Sequence, residues 1–291
     1  MVVMSDRGAS SRIRTFPTAD GLLAYREEGT GDPLVLLHGG FLDHGMWEAQ
    51  IRAFAPHHRV IAPDARGHGA STNATRPFRP ADDLAALLRY LDAAPAVLVG
   101  ISMGGATAVD TALEHPGLVR AVVVGGVGTS EPVFEDPWIR KAQAEQHRAL
   151  AAGDIAGWIA AYVRIACGPH RTPADADPDV VRRLHDMVSR TVAKHTAGEP
   201  DHLVPVPDTW RRAARITVPV LALHGALDNS DHLAMAERLV ATVPDGRSAT
   251  VPGAAHYPNM ENPAGYNTLL ARFLEQPADS SPRPGTAAPG R

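Results

Sequence analysis

The chain has 291 residues, of which 44% are hydrophobic and 21% charged, and a formal net charge of −4. This is the composition of an ordinary globular enzyme, and the length suits a single α/β domain. The absence of a basic block argues against nucleic acid or an anionic membrane as partner, and a lone cysteine, Cys167, excludes an internal disulfide and a multi-cysteine zinc site.

Residues 1–11 are mostly polar and read as a flexible leader. They carry neither the apolar stretch of a signal peptide nor a membrane span, so a cytoplasmic location is expected. Residues 13–16 and 22–26 form an opening antiparallel pair. Residues 34–38 are a continuous apolar run that ends in His38-Gly39-Gly40, and residues 59–63 are a second run, followed by Asp64-Ala65-Arg66-Gly67-His68-Gly69. His38 and His68 both read as turn histidines that bond to backbone. Residues 81–92 place Leu84, Leu87, Leu88 and Leu91 on one helical stripe. Residues 96–101 and 121–124 are further strands. Short apolar runs of this kind suit strands buried on both faces, and their alternation with helices predicts a mostly parallel sheet.

Residues 131–215 break that rhythm. They hold helical patterns such as Val181, Leu184, Val188 and Val192 but no strand, and are expected to form a helical cap. Trp138, Trp158 and Trp210 lie here. They either pack the cap onto the sheet or line an apolar pocket. The strand pattern resumes at 218–224, where His224 reads as another strand-end histidine, and again at 248–251. Helices follow at 232–243 and 265–274. Residues 277–291 are rich in Pro, Ser, Gly and Ala and read as a disordered tail. The expected core is therefore 12–130 with 216–276.

The strand at 96–101 runs into Gly100-Ile101-Ser102-Met103-Gly104, with an Ala-rich helix pattern behind it. A strand–serine–helix turn needs small neighbours, because a side chain at Gly100 or Gly104 would meet backbone. It exposes the hydroxyl and aims a helix N-terminus at the reacting carbon. Ser102 is the expected nucleophile. A serine hydroxyl needs a base, and among 14 histidines His256 stands after the last strand and before the last helix, downstream of the serine. The remaining histidines, on helices and loops, read as surface residues. The orienting acid should follow a late strand, which selects Asp228; its neighbour Asp231 reads as a helix N-cap. Two backbone N–H groups should hold the oxyanion: Met103, directly after the nucleophile, and Gly40, with Phe41 as second choice. Phe41 and Tyr257 join the three tryptophans as candidate substrate contacts. No closely spaced ligand set suggests a metal.

Together, His38-Gly39-Gly40, Asp64-x-Arg66-Gly67-His68-Gly69-x-Ser71, Gly100-Ile-Ser102-Met-Gly104-Gly105, Gly225-x-x-Asp228 and Gly253-Ala-Ala-His256 resemble the α/β-hydrolase superfamily, in particular its serine esterases, lactonases and cofactor-free haloperoxidases. The resemblance implies an eight-stranded, mostly parallel sheet with helices on both faces. It also implies a helical cap after the sixth strand, and no metal or organic cofactor. Serine at 102 argues against the relatives with an aspartate nucleophile, and Phe41 interrupts the longer glycine run of the hormone-sensitive-lipase-like group. The expected activity is cleavage of a carboxylic ester or lactone of a small, largely apolar substrate through an acyl-enzyme. The alternatives are a C–C bond hydrolase, a cyclase or lyase with the same triad, or a non-catalytic ligand receptor.

Overall fold

The computed structural model describes residues 13–196 and 198–275. The leader and tail expected at 1–11 and 277–291 lie outside the described residues. Eight strands form one sheet: β1 Arg14–Thr18, β2 Gly21–Glu28, β3 Pro33–Leu37, β4 Arg59–Pro63, β5 Ala96–Ile101, β6 Val119–Gly125, β7 Val220–Gly225 and β8 Gly246–Val251. Their order is β1-β2-β4-β3-β5-β6-β7-β8. β2 pairs antiparallel with β1 and β4, and every other pair is parallel.

Around the sheet lie α1 Glu48–Phe54, α2 Pro80–Tyr90, α3 Met103–Glu114, α4 Pro137–Ala151, α5 Ile155–Cys167, α6 Pro178–Val192, α7 Thr209–Arg212, α8 Ser230–Thr242, α9 Pro258–Glu261 and α10 Pro263–Glu275. The two faces of the sheet build two cores, as the period-2 geometry of a strand demands. Val97, Val99 and Ile101 of β5 pack with Trp47, Ile51 and the apolar faces of α5, α6 and α10. Leu98 points the other way, with Leu84 and Leu88 of α2, Val109 of α3 and Leu239 of α8. Truncating such a residue to Ala costs about 2–5 kcal/mol.

Three local expectations shift. The helix read over 81–92 begins one residue earlier, at Pro80, and closes at Tyr90, because Asp92 takes a left-handed φ of 47°. β8 is not buried on both faces. It is the sheet edge, and only Val251 of its six residues is fully buried. The N-cap of α8 is Asn229, whose side chain accepts from His232 N, rather than Asp231. Asp231 Oδ2 instead accepts from Glu135 N and Asp136 N, each at 2.8 Å, and ties the segment before α4 to the head of α8. Between β6 and β7 the described residues hold helices α4 to α7 and no strand. No helix among the described residues is long and apolar enough to cross a membrane.

Candidate active site

Ser102 stands between fully buried β5 and the head of α3, with φ 55° and ψ −121°. A left-handed non-glycine residue costs on the order of 1–3 kcal/mol and persists only where its surroundings enforce it. They do so here. Ser102 N donates to Gly125 O at 2.7 Å. A Cβ on Gly100 would lie 2.1 Å from Gly104 O, and a Cβ on Gly104 would lie 2.1 Å from Leu37 O. Only glycine allows β5, α3 and β3 to approach this closely. The turn lifts the serine to the mouth of a cavity of about 220 Å³, where α3 directs its positive end.

His256 and Asp228 reach the same place from two loops. Asp228 follows β7 and is 3% exposed, while His256 follows β8 and is 5% exposed. His256 Nδ1 donates to Asp228 Oδ2 at 2.8 Å. Asp228 Oδ1 accepts from Asn229 N at 2.8 Å. Burial opposes the charge on Asp228, but the flanking His232 and His256 overcome it and hold the carboxyl well below the usual carboxylate range. For His256, burial outweighs the attraction of Asp228 and lowers its pKa below the ordinary histidine value. The imidazole is thus neutral, with its proton on Nδ1 and Nε2 free to accept. Ser102 and His256 flank Gly126: a Cβ there would lie 3.5 Å from Ser102 N and 2.8 Å from His256 Cε1. Among the described residues the Ser102 hydroxyl has no hydrogen-bond partner, and such contacts commonly tighten only once substrate is bound.

Gly40 and Met103 also meet. A Cβ on Gly40, which lines the cavity with Ser102, would lie 3.9 Å from Met103 Cβ. The Gly39–Gly40 peptide is held firmly. Gly39 O accepts from His38 Nδ1 at 2.8 Å and from Leu42 N at 3.1 Å. His38 Nε2 in turn accepts from Ala65 N at 2.9 Å, which fixes the tautomer. In a trans peptide the N–H points opposite the carbonyl, so the donors on Gly39 O aim the Gly40 N–H. Tyr162 of α5 donates its hydroxyl to Gly40 O at 2.6 Å and meets the Tyr257 hydroxyl at 2.5 Å. His68 bonds to Arg66 O, as a turn histidine should, and burial beside His38 pushes its pKa down to about 3.

Of the five candidate substrate contacts, Phe41 and Tyr257 line the cavity, while Trp138, Trp158 and Trp210 do not. Trp158 is buried behind the wall, edge-on to Phe41 at 4.6 Å and stacked on Tyr162 at 5.9 Å. Trp210 donates Nε1 to Glu131 O at 2.8 Å, with the Arg238 guanidinium 4.2 Å from its ring centroid. Trp138 is half-buried in the first turn of α4. The indoles go where large apolar area is needed between helices, and the wall facing Ser102 is built from Phe134, Ile139, Gln143, Gln146, Tyr162 and Ile165 instead.

The sequence reading missed His232. It is 4% exposed rather than on the surface, lines the cavity, and contacts Asp228 Oδ1 through Nδ1 at 3.0 Å. Its position four residues after Asp228 at a helix start was the available signal. The head of α8 turns back over the loop that carries the acid.

A family model described as "alpha/beta hydrolase fold" matches residues 32–263. The chain is similar to 3-oxoadipate enol-lactonase 2 of Acinetobacter baylyi, 29% identical over 90% of this chain and 96% of that one. It is also similar to a pimeloyl-(acyl-carrier protein) methyl ester esterase of Yersinia enterocolitica, 29% identical over 85% of this chain and 95% of the other. Among solved structures it resembles a thermophilic esterase from Thermogutta terrifontis, with TM-score 0.71 and 27% identity over 90% of this chain and 98% of that one.

Proposed function

We propose, from the premise that the chain belongs to the alpha/beta hydrolase family, that this hydrolase cleaves a carboxylic ester or lactone through an acyl-enzyme on Ser102. The observation that carries this function is the 2.8 Å contact of His256 Nδ1 with buried Asp228, in the wall of the cavity that also holds Ser102 at the strained head of α3.

His256 Nε2 takes the hydroxyl proton as Ser102 Oγ attacks the substrate carbonyl carbon. The Gly40 and Met103 N–H groups hold the oxyanion, and Asp228 stabilises the imidazolium. His256 then returns the proton to the leaving alkoxide oxygen, and the acyl group stays on Oγ. Water enters, gives a proton to His256 and attacks the acyl carbon; Oγ leaves with that proton and the acid is released.

Residues 131–215 act as the cap, because Ile139, Gln143, Gln146, Tyr162 and Ile165 wall the cavity from that side. Among the described residues no lysine or arginine lines the cavity. At about 220 Å³ the space lies below the common ligand-pocket range of roughly 300–1,000 Å³. Both features favour a small, uncharged, largely apolar ester or lactone as the partner.

The test is Ser102→Ala, assayed on p-nitrophenyl esters and simple lactones with fluorophosphonate labelling alongside. Hydrolysis should fall on the order of 10⁴-fold and labelling should vanish. Activity within about tenfold of wild type would remove Ser102 as nucleophile.

A further inference from the structure

The reaction above makes no use of His232, yet this residue is tied to the triad on two sides. Its ring lies on that of His256, with centroids 4.2 Å apart and planes 21° from parallel. Its Nδ1 is 3.0 Å from Asp228 Oδ1, while His256 Nδ1 holds Oδ2 of the same carboxylate at 2.8 Å. One buried carboxylate therefore serves two imidazoles.

The proton on His232 Nδ1 is contested. Asn229 Oδ1 accepts from His232 N at 3.1 Å as the cap of α8, which identifies the other end of that amide as its NH₂ group. This Nδ2 lies 2.7 Å from His232 Nδ1. An amide nitrogen only donates and a carboxylate oxygen only accepts. A bare Nδ1 satisfies Asn229 and sets a lone pair against Asp228. A protonated Nδ1 satisfies Asp228 and opposes Asn229. The same three groups, Asp228, His232 and His256, have the composition of a metal site. Their rings, however, run nearly parallel and direct both Nδ1 atoms side by side at Asp228, and the atoms are already engaged with one another.

We infer that His232 is a positioning residue that competes with His256 for the Asp228 carboxylate and so sets how readily the base takes up a proton. The inference rests on Ser102, His256 and Asp228 being the triad. With His232 uncharged, Asp228 gives most of its support to His256. With His232 protonated, that support is divided and a positive ring lies against the one that must receive the serine proton. Two imidazoles on one carboxylate are coupled through it, so the acid limb of the rate should be broader than a single proton gives.

Other charged groups lie on the elements that meet at the head of α8. Asp231 is on α8. Glu135 and Asp136 precede α4, and Asp136 accepts from Ser230 Oγ. Glu261 of α9 bears on His256, and Asp228 bears on His224 of β7. All of them remain when His232 alone is replaced. His232→Phe keeps a flat ring against His256 but has no nitrogen. Asp228 is then undivided and the cationic neighbour is gone, and both changes make His256 easier to protonate.

The experiment is kcat/KM against pH on one p-nitrophenyl ester, with each enzyme normalised to its own plateau. The acid limb of His232→Phe should move to higher pH by about half a unit or more and follow a single proton. A limb of unchanged midpoint and shape, in a variant folded by circular dichroism, overturns the inference. If that variant does not fold, ¹⁵N-histidine NMR titration of the wild-type protein reads the same coupling. The His256 curve should be broader than a single proton gives, and a simple single-proton curve overturns it. The NMR readout needs no substrate, so its outcome is separate from the loss of hydrolysis that tests Ser102.

Discussion

His38 is expected to control the turnover number although it does not face the cavity beside Ser102. The perturbation is His38→Leu. It removes the 2.8 Å bond to Gly39 O and leaves only the 3.1 Å bond from Leu42 N to hold the peptide that carries the Gly40 N–H. Loss of a whole oxyanion donor costs about 10²–10³ in kcat. One of two anchors survives here, so the expected loss is smaller, about 10–100-fold in kcat with little change in KM. The Ala65 N–H, which donates to His38 Nε2 at 2.9 Å, also loses its acceptor. That should lower stability by about 1–3 kcal/mol. Burial keeps the His38 pKa below the ordinary histidine value, so the effect should be the same across the working pH range. The assay is steady-state kinetics on a p-nitrophenyl ester, with thermal unfolding to separate the two losses. If kcat stays within about threefold of wild type while stability falls, the Gly40 N–H does not depend on His38 and the reasoning is refuted.

Three other outcomes are expected. The pKa of His256 is lowered by burial, so the base stays neutral to lower pH than a free imidazole: the midpoint of the acid limb should lie below about 6.5, and a rate already half lost above pH 7 would contradict it. Asp110, buried on α3 with Oδ1 unpartnered, is pushed by burial from 3.8 to about 6. A raised carboxyl pKa stabilises below the unfolded value and that stability is lost as pH rises through the folded one. Asp110→Asn should therefore gain about 1–3 kcal/mol at pH 8 and only about a third of that at pH 4.5; equal gains in urea unfolding at both would refute this. Trp158→Ala should cost about 3–5 kcal/mol of stability and shift selectivity between acyl chains only modestly, since the ring backs Phe41 and Tyr162 without lining the cavity; unfolding curves and paired kcat/KM values decide.

Parts of this site are legible in the sequence because their requirements are local. Gly100 and Gly104 must be glycine, since each has backbone 2.1 Å from where a Cβ would sit. The run Ala96–Ile101 is apolar on both faces because helices cover both. Those two facts are enough to mark the turn at Ser102. Asp228 and His256 follow in the same way, from loops that leave β7 and β8 at the same end of neighbouring strands. A parallel sheet brings such loops together whatever the rest of the chain does.

What was not legible depends on partners far away in the chain. His232 looks like one more polar residue in the first turn of a surface helix. It is buried because the Asp228 loop folds beneath it and His256, 24 residues on, stacks against it. Asp231 has the chemistry of an N-cap, but Asn229 starts the helix and frees Asp231 to hold residues 135 and 136. The tryptophans stay open between packing and pocket in the sequence, because a large apolar ring serves the seam between helices as well as a pocket. Tyr162 carried no signal at all, since its hydroxyl finds Gly40 O across 122 residues of chain. The proposed catalytic groups thus sit on strand ends that local pattern reveals, whereas the residues proposed to orient them come from α5 and α8, whose placement only tertiary packing decides. Substitutions in that outer set, His232 and Tyr162 first, are therefore where differences in pH response and selectivity should arise without any change to Ser102, His256 or Asp228.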